Sequence, residues 1–255
     1  SILQNLPGVF VMDGQASIRG GNGYAYGVGS RVLLMVDDMP LLTGASGETK
    51  WNFVPVEILE RIEVLKGASS SLYGSSALNG VVNLYTKFPG NKPETVINVS
   101  GGYYNNPKRP EIIWWEGRNP GFGYISMMHS QKIGQLDLVL GGFVKRDESH
   151  KQDHEEDFYR GNLKLRYRSK KIKGLSFGVN SSYMKNKGSN FLIWANDSTG
   201  VWMPQDSTMV REFNNHRLSI DPYIRFFPNP NTQHILRTRY FFVDNVNNTD
   251  QSNTD

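Results

Sequence analysis

The stretch ILERIEVLKGASSSLYGSSALNGVVNLYTK, residues 58–87, decides the fold assignment, because it holds several short structural elements in one run. Pro55 and Glu57 stand just before it and are typical of a helix start, since proline suits the first turn and an acid suits the positive end of the helix dipole. Residues 62–65 and 81–86 then predict two short strands. A serine-rich turn and a further helical turn are expected between them.

The residues before this stretch are compact and rich in glycine. They predict short strands at residues 9–12, 17–20 and 31–36. The segments 20–30 and 41–52 are predicted to be loops, because glycine recurs in both of them. The first part of the chain is therefore expected to be a small domain of mixed helix and strand.

The pattern changes after Pro93, where helix signals end and long alternating segments begin. Seven strands are predicted, at residues 95–104, 122–131, 134–147, 157–171, 174–187, 213–227 and 232–247. Within residues 162–168, Leu163 and Leu165 face one way while Lys164 and Arg166 face the other. The predicted strands run to roughly 10–15 residues, which is nearer the length of a tilted membrane-crossing strand than that of a globular one.

Short and long connections alternate between these strands. Residues 132–134, 171–174 and 229–231 predict tight turns, whereas residues 148–156 and 188–211 predict longer polar loops. This alternation is typical of an outer-membrane barrel, and the alternative is a soluble all-β sandwich. Seven strands are fewer than the roughly eight that the smallest bacterial barrels need, and an open edge is not stable in lipid. We therefore expect the chain to be a part of a longer protein.

Composition excludes several classes of protein. The net charge is +4, from 28 basic and 24 acidic residues, which favours a mixed surface over a nucleic-acid partner. The absence of cysteine excludes a disulfide framework and a thiolate metal site. The longest apolar run, VLLMV at residues 32–36, is far shorter than the roughly 18 residues of a spanning helix. The first residues lack the features of a signal peptide, so we expect the chain to begin inside a larger protein.

A series of short motifs in a fixed order carries a resemblance to a known family. The motifs are LPGV at residues 6–9, SIRG at 17–20, VLLMVDDMP at 32–40, IEVLKG at 62–67, LYG at 72–74 and GVVN at 80–83, followed by Thr86-Lys87. Together they resemble the plug domain of the TonB-dependent outer-membrane receptors. Asp38, Ala68 and Asn79 stand where the family usually has Gly, Pro and Gly. The run YGSSALNG, residues 73–80, is more similar to Bacteroidete-type members.

The resemblance implies an architecture. An α+β plug domain is expected over residues 1–88, with its N-terminal part missing, followed by a linker at 89–94. Residues 95–255 are expected to form an antiparallel β-meander, the first seven or so strands of an incomplete outer-membrane β-barrel whose C-terminal part lies beyond Asp255. This second part matches the family by pattern only.

The resemblance also implies a function without an enzyme reaction. Such receptors take up a scarce nutrient (a ferric siderophore or other iron complex, cobalamin, a glycan or a peptide) across the outer membrane of a Gram-negative bacterium, and the plug gates the barrel. The implied partners are the TonB energy-transducing complex, reached through a segment before Ser1, a small nutrient ligand and outer-membrane lipid. No nucleic acid, cofactor, metal or catalytic residue is implied.

Five residues are candidates for functional contacts. By resemblance, Arg19 and Lys66 pair with acids on the inner wall of the barrel, and the alternative is that both are solvated surface charges. Tyr24, Tyr26 and Trp51 lie in the two predicted loops and are candidates for contact with substrate, because aromatic rings bury much area at low entropic cost. The alternative for these rings is packing on the barrel wall.

Two further groups were weighed as sites. His150 and His154 have the i,i+4 spacing of a metal pair, but Lys151, Gln152 and Asp153 lie between them and supply no catalytic glutamate, so a solvated charged loop is favoured. Trp114 and Trp115 fit either a membrane interface or an early barrel loop.

Two other functions remain open at this point. One is a surface binding or signalling receptor that does not import its ligand, and a TonB box upstream would distinguish it from a transporter. The other is a soluble α+β enzyme with a β-sandwich, which would require a cleft with converging titratable side chains.

Overall fold

The computed structural model describes residues 9–12, 15–18, 32–42, 51–67, 73–247 and 250–254. Contacts divide the chain into two units, the first ending at Lys87 and the second running from Phe88 to Thr254. No helix among the described residues is long and apolar enough to cross a membrane.

The described residues of the first unit form six short strands and three single-turn 3-10 helices. The strands are β1 (Val9–Met12), β2 (Gln15–Ile18), β3 (Val32–Val36), β4 (Met39–Pro40), β5 (Leu59–Lys66) and β6 (Gly80–Thr86). The 3-10 helices are Trp51–Phe53, Val56–Ile58 and Ser75–Ala77. β1 and β2 form a hairpin, and the other four strands form a sheet in the order β4-β3-β6-β5. The helix start predicted at Pro55 is thus a single 3-10 turn.

The centre of the four-stranded sheet is the parallel pair β3–β6. Val32, Leu33 and Leu34 of β3 and Val81 and Val82 of β6 are all at most 1% exposed. Strands that are covered on both faces need apolar residues at consecutive positions rather than at alternate ones. This explains the unbroken runs VLLMV and VV in the sequence.

Gly80 lets β6 begin close against β5. Its φ is +146°, and a Cβ placed there would lie 2.3 Å from the carbonyl oxygen of Leu65 and 2.8 Å from Ile18 Cδ1. A side chain would therefore clash with backbone as well as adopt a conformation that favours glycine. The glycine of the GVVN motif is required by packing.

The turn between β3 and β4 is made by Asp37 and Asp38, with φ values of 49° and 65°. Two consecutive left-handed residues are the geometry of a two-residue hairpin turn, which explains why glycine is usual in the family at the position of Asp38. Asp38 Oδ1 accepts hydrogen bonds from Asn83 Nδ2 at 2.8 Å and from Tyr85 Oη at 3.0 Å. Asp38 thus adopts a left-handed backbone conformation that glycine would adopt more easily. Its carboxylate in turn forms two hydrogen bonds to side chains of β6.

Asp37 extends this connection to the end of β6. Its Oδ1 accepts from the Thr86 amide at 2.9 Å and its Oδ2 from the Thr86 hydroxyl at 2.5 Å. Burial, followed by the hydrogen bond to Asp38, raises the pKa of Tyr85 to about 12. The neutral phenol that donates to Asp38 is thus stable well above its ordinary pKa of about 10.

The second unit is a single antiparallel sheet. Its strands are β7 (Glu94–Tyr103), β8 (Gly121–Ile133), β9 (Leu136–Asp147), β10 (Glu156–Arg168), β11 (Leu175–Phe191), β12 (Val210–Asn229), β13 (Thr232–Arg237), β14 (Tyr240–Asn247) and β15 (Asp250–Thr254). The order is β15-β14-β12-β11-β10-β9-β8-β7, and β13 also pairs with β12. Within the described residues β7 and β15 do not pair, so the sheet is open. This is the antiparallel meander of an incomplete barrel, as predicted.

Two details differ from the seven predicted strands. The last of them, residues 232–247, is divided into β13 and β14, and β15 follows it as an additional strand. The division lies opposite Pro222 of β12, which has no amide hydrogen to offer to a neighbouring strand. Pairing with β14 ends at Ile220–Tyr240 and pairing with β13 begins at Tyr223–Arg237.

The connections alternate as predicted. At one end of the sheet, residues 134–135, 169–174 and 230–231 form short turns, and we call this the short-turn end. At the other end, residues 104–120, 148–155 and 192–209 form long connections, and we call these three segments the long loops. The sequence predicted the second and third long loops but not the first, 104–120.

The two faces of the sheet differ in chemistry. One face, the apolar face, presents large exposed side chains, with Ile97 at 61%, Val99 at 72% and Leu236 at 61% exposure. The opposite face, the polar face, carries buried charged and amide side chains, among them Asp137, Lys164 and Arg217. This is the reverse of a soluble sheet, in which apolar side chains are buried and charges are exposed.

Asp38 provides a test of the turn. Asp38→Ala removes the carboxylate and leaves a left-handed alanine, whereas Asp38→Gly removes the carboxylate alone. We expect both variants to lose protection of the Asp37 amide, which donates to Leu84 O at 2.9 Å, because hydrogen bonds to a charged group contribute about 1.5–3 kcal/mol. Alanine should lose about 1 kcal/mol more than glycine.

The measurement is native-state hydrogen exchange of the Asp37 amide in the full-length protein. Asp38→Asn serves as the control, since asparagine tolerates the left-handed conformation and keeps one acceptor oxygen. Equal losses in the alanine and glycine variants would show that backbone strain at Asp38 is negligible.

Candidate functional site

The structure locates two of the five residues singled out in the sequence. Trp51 opens the 3-10 helix Trp51–Phe53 and is half-buried, and Lys66 is the exposed last residue of β5. Arg19, Tyr24 and Tyr26 lie outside the described residues. The contacts proposed for all five remain predictions.

The long loops form the most extensive cluster of aromatic side chains in the described part of the second unit. Six rings follow one another in contact: Phe122, Tyr104, His150, Trp202, Trp115 and Trp114. Their ring centres are 5.1–5.8 Å apart along this series. Trp115 and Trp202 are stacked with an interplanar angle of 12°. We call these six residues the ring series.

Hydrogen bonds join the three long loops to one another and to the end of β9 around the ring series. Trp114 Nε1 donates to the carbonyl oxygen of His150 at 2.8 Å, and the amide of Gln152 donates to the carbonyl oxygen of Trp202 at 2.8 Å. Tyr104 Oη donates to Asp147 Oδ1 at 2.9 Å. The tryptophan pair therefore lies in the first long loop, and its placement at a membrane interface stays a prediction.

The two histidines are half-buried rather than solvated. His150 packs against Tyr104 and Trp202, and the ring centre of His154 is 6.1 Å from that of Phe191. Burial, followed by the positive charge of Lys151, lowers the pKa of both rings. No group of three metal-ligating side chains occurs among the described residues. These histidines act as neutral aromatic packing at neutral pH.

The start of the third long loop is different, because it is exposed. Leu192, Ile193 and Trp194 are 75%, 50% and 50% exposed, and Trp194 Nε1 donates to Asp197 Oδ1 at 2.7 Å. Arg109 of the first long loop donates to the carbonyl oxygen of Ser198 at 2.5 Å. The third long loop thus begins with an apolar segment, residues 192–194, that is open to solvent.

Charges on the polar face are paired within the sheet. Asp137, 1% exposed, accepts from Arg166 Nε at 2.7 Å and from Arg168 Nη1 and Nη2 at 2.6 and 2.7 Å. Asp221 accepts from Arg239 Nε and Nη2 at 2.7 and 2.6 Å. A buried carboxylate is tolerated when such bidentate contacts satisfy it.

Phe88, the first residue of the second unit, lies among cations of this face. Lys164 Nζ is 3.6 Å and Arg166 Cζ is 3.7 Å from the centre of its ring. Both distances are within the range of cation–π attraction. The start of the second unit is thereby held against β10.

Comparison with known proteins places this geometry in a family. The model of the TonB-dependent receptor plug domain matches residues 1–81. The vitamin B12 transporter BtuB of Vibrio vulnificus (strain CMCP6) is 33% identical over 107 residues, which cover 40% of this chain and 17% of the transporter. The siderophore receptor PirA of Pseudomonas aeruginosa aligns over 97% of this chain and 37% of its own, with 18% identity and a TM-score of 0.68.

Residues 1–81 belong to the plug domain family of the TonB-dependent receptors. A second solved structure, the ferric-catecholate import receptor Fiu of E. coli K12, has the same fold, with a TM-score of 0.66 at 16% identity over 95% of this chain and 35% of its own. The chain spans well under half the length of these relatives. The matched plug segment runs from before β1 into the start of β6, which is the part that carries the sequence motifs.

The ring series was not predicted as a unit. Trp114 and Trp115 were noted as a pair, but Tyr104, His150 and Trp202 come from three separate loops and have no common spacing. The sequence contains one signal for this cluster. Aromatic residues are concentrated between the predicted strands, where polar loops rarely contain them. Their assembly depends on which loops lie at the same end of the sheet.

The histidines predict a pH dependence. Their neutral forms are favoured in the folded loops, so the stability that they contribute is present above the ordinary histidine pKa of about 6.5 and is lost as pH falls below it. We expect the amide of Gln152 to exchange faster at pH 5 than at pH 7.5, after correction for intrinsic exchange. The measurement is hydrogen exchange on the full-length protein.

The control is the double variant His150→Gln/His154→Gln. It removes both titrating rings and keeps polar side chains of intermediate size, while Lys151, Asp147 and Glu156 stay in place. Its protection should be lower at pH 7.5 and nearly independent of pH. A pH dependence that persists undiminished in the variant would assign the effect to other groups.

Proposed function

We propose that this protein is an outer-membrane receptor that imports a small nutrient by a TonB-dependent mechanism. The observation that carries the proposal is the plug-domain match at residues 1–81, which is followed in the same chain by a meander with an apolar outer face. The relatives are named as transporters and import receptors. An enzyme reaction finds no support in these names.

The apolar face supports placement in the outer membrane of a Gram-negative bacterium. Side chains such as Ile125 at 53%, Val144 at 47% and Ile224 at 47% exposure would be costly in water but are suited to hydrocarbon. Every described strand from β8 to β12 has a hydrogen-bonded neighbour on each side, as a sheet in lipid requires. Outer-membrane lipid is therefore a proposed partner.

The ligand is proposed to be an iron complex such as a ferric siderophore, or cobalamin. BtuB is named for vitamin B12, and PirA and Fiu are named for siderophores or a ferric catecholate. A glycan or a peptide remains within the same proposal. Leu192, Ile193 and Trp194 are the described residues best placed to contact it, because they are exposed apolar side chains on a long loop.

The plug residues complete the proposal. Tyr24, Tyr26 and Trp51 are proposed to contact the same ligand, and Arg19 and Lys66 to hold the plug to the barrel wall. The TonB energy-transducing complex is proposed as the partner that releases this hold. Because import needs a plug that can move, polar and hydrated contacts suit this role better than a continuous apolar interface.

The test is growth of a strain that lacks the gene encoding this chain, on media in which one candidate nutrient is limiting. We expect a defect on one ferric siderophore or on cobalamin, rescued by the wild-type gene only in cells with intact TonB. Trp194→Ala should reduce uptake several-fold while leaving the amount of protein in the outer membrane unchanged.

Trp202→Ala provides the comparison, since it removes a ring that supports the loops. It should reduce uptake together with the protection of the Gln152 amide, whereas Trp194→Ala should leave that amide protected. Ligand binding at the cell surface without any uptake defect would favour the alternative of a signalling or adhesion receptor.

A further inference from the structure

The apolar face carries an open groove of about 550 Å³ toward the short-turn end of the sheet. Its lining includes Leu136, Leu165, Tyr167, Phe177, Val179 and Leu236. Tyr167 and Phe177 are 38% and 47% exposed, and their ring centres are 5.3 Å apart. The groove is thus an indentation in the surface that the proposed function exposes to lipid.

The groove has a structural cause in the division between β13 and β14. Pro222 lines it and offers no amide, and strand structure opposite it is interrupted at Thr238 and Arg239. Thr238 donates its amide to the carbonyl oxygen of Pro222 at 3.1 Å, while the Asp221–Arg239 pair holds the interruption from the polar face. The indentation is therefore built into the backbone rather than left by a side-chain rotamer.

A basic turn lies next to the groove. The connection between β10 and β11, residues 169–174, has the sequence SKKIKG, with Lys170, Lys171 and Lys173 all exposed and no acidic residue among them. Tyr167 precedes Lys170 by three residues and Phe177 follows Lys173 by four. Because a fully extended chain spans at most about 3.6 Å per residue, the Cα atoms of Lys170 and Lys173 lie within about 15 Å of those of Tyr167 and Phe177.

The apolar groove and the basic turn together fit a molecule that has an apolar chain and an anionic group. We propose that the groove and the basic turn bind one anionic phospholipid, with an acyl chain in the groove and the phosphate at Lys170, Lys171 and Lys173. The proposal rests on the membrane placement proposed above. Lysines at a membrane surface attract anionic headgroups, and an acyl chain gains from burial against aliphatic and aromatic side chains.

A peptide is a poorer occupant of the same groove. It would bring N–H and C=O groups that need hydrogen-bond partners, and the groove is lined almost entirely by carbon. An acyl chain brings no such groups. The arginines nearest the turn, Arg166 and Arg168, are paired with Asp137 on the polar face, so the lysines are the charges available on this side.

The test is native mass spectrometry of the full-length protein purified from membranes in a nonionic detergent. Phosphatidylglycerol and phosphatidylcholine with the same acyl chains are added separately. We expect one phosphatidylglycerol to be retained at least about tenfold more strongly than phosphatidylcholine. The variant Lys170→Gln/Lys171→Gln/Lys173→Gln should lose this preference, and Val179→Trp, which fills the groove, should weaken both lipids.

Matched controls separate a site from general attraction. Lys108→Gln/Lys185→Gln/Lys187→Gln removes the same charge near the long loops, and Ile125→Trp adds an indole elsewhere on the apolar face; both should bind like the wild type. Equal retention of the two lipids, or an equal loss in the two lysine variants, would overturn the proposal. If the protein is absent from the membrane fraction, the proposed function itself fails, which is a distinguishable result.

Discussion

The two-residue repeat of β structure is the constraint on which the second unit depends. In β10, Leu163 and Leu165 must share one face and Lys164 and Arg166 the other, and a slip of one residue in register would exchange them. Charges that the repeat places on a covered face have to be satisfied there. Asp137 is held by two arginines and Asp221 by one, so the register that exposes the apolar side chains also assembles these pairs.

Strand register is specified differently in the first unit, because its central strands are covered on both faces. The apolar run of β3 has no alternation, so the repeat cannot specify its register. Register is supplied instead at the ends of the strands, where Asp37 and Asp38 bind Thr86, Asn83 and Tyr85 of β6. Gly80 fixes the other end by allowing the carbonyl of Leu65 to come close. The sequence motifs at these positions therefore specify how the strands align.

These two kinds of constraint explain what could be predicted from the sequence. Alternation predicted the two faces of β10, and glycine and proline predicted most turns, because both signals are local. The division of the last predicted strand was missed, since its cause, Pro222, lies on the neighbouring strand. The ring series was missed for the same reason. In the sequence His150 lies among charged residues, and only the arrangement of the strands places Tyr104 and Trp202 beside it.

The long loops are the part of this scaffold that the proposed function assigns to ligand contact. A loop of about 18 residues such as 192–209 has too much conformational freedom to present a fixed surface unless packing restrains it. Contacts among Trp115, His150 and Trp202 provide such restraint, while Leu192 to Trp194 at the start of the third long loop stay exposed. Because the rings of the loops come from three different loops, a change in one loop alters the packing of the others. If the exposed residues contact the ligand as proposed, a change in them can alter the ligand without any change in the sheet that holds the loops.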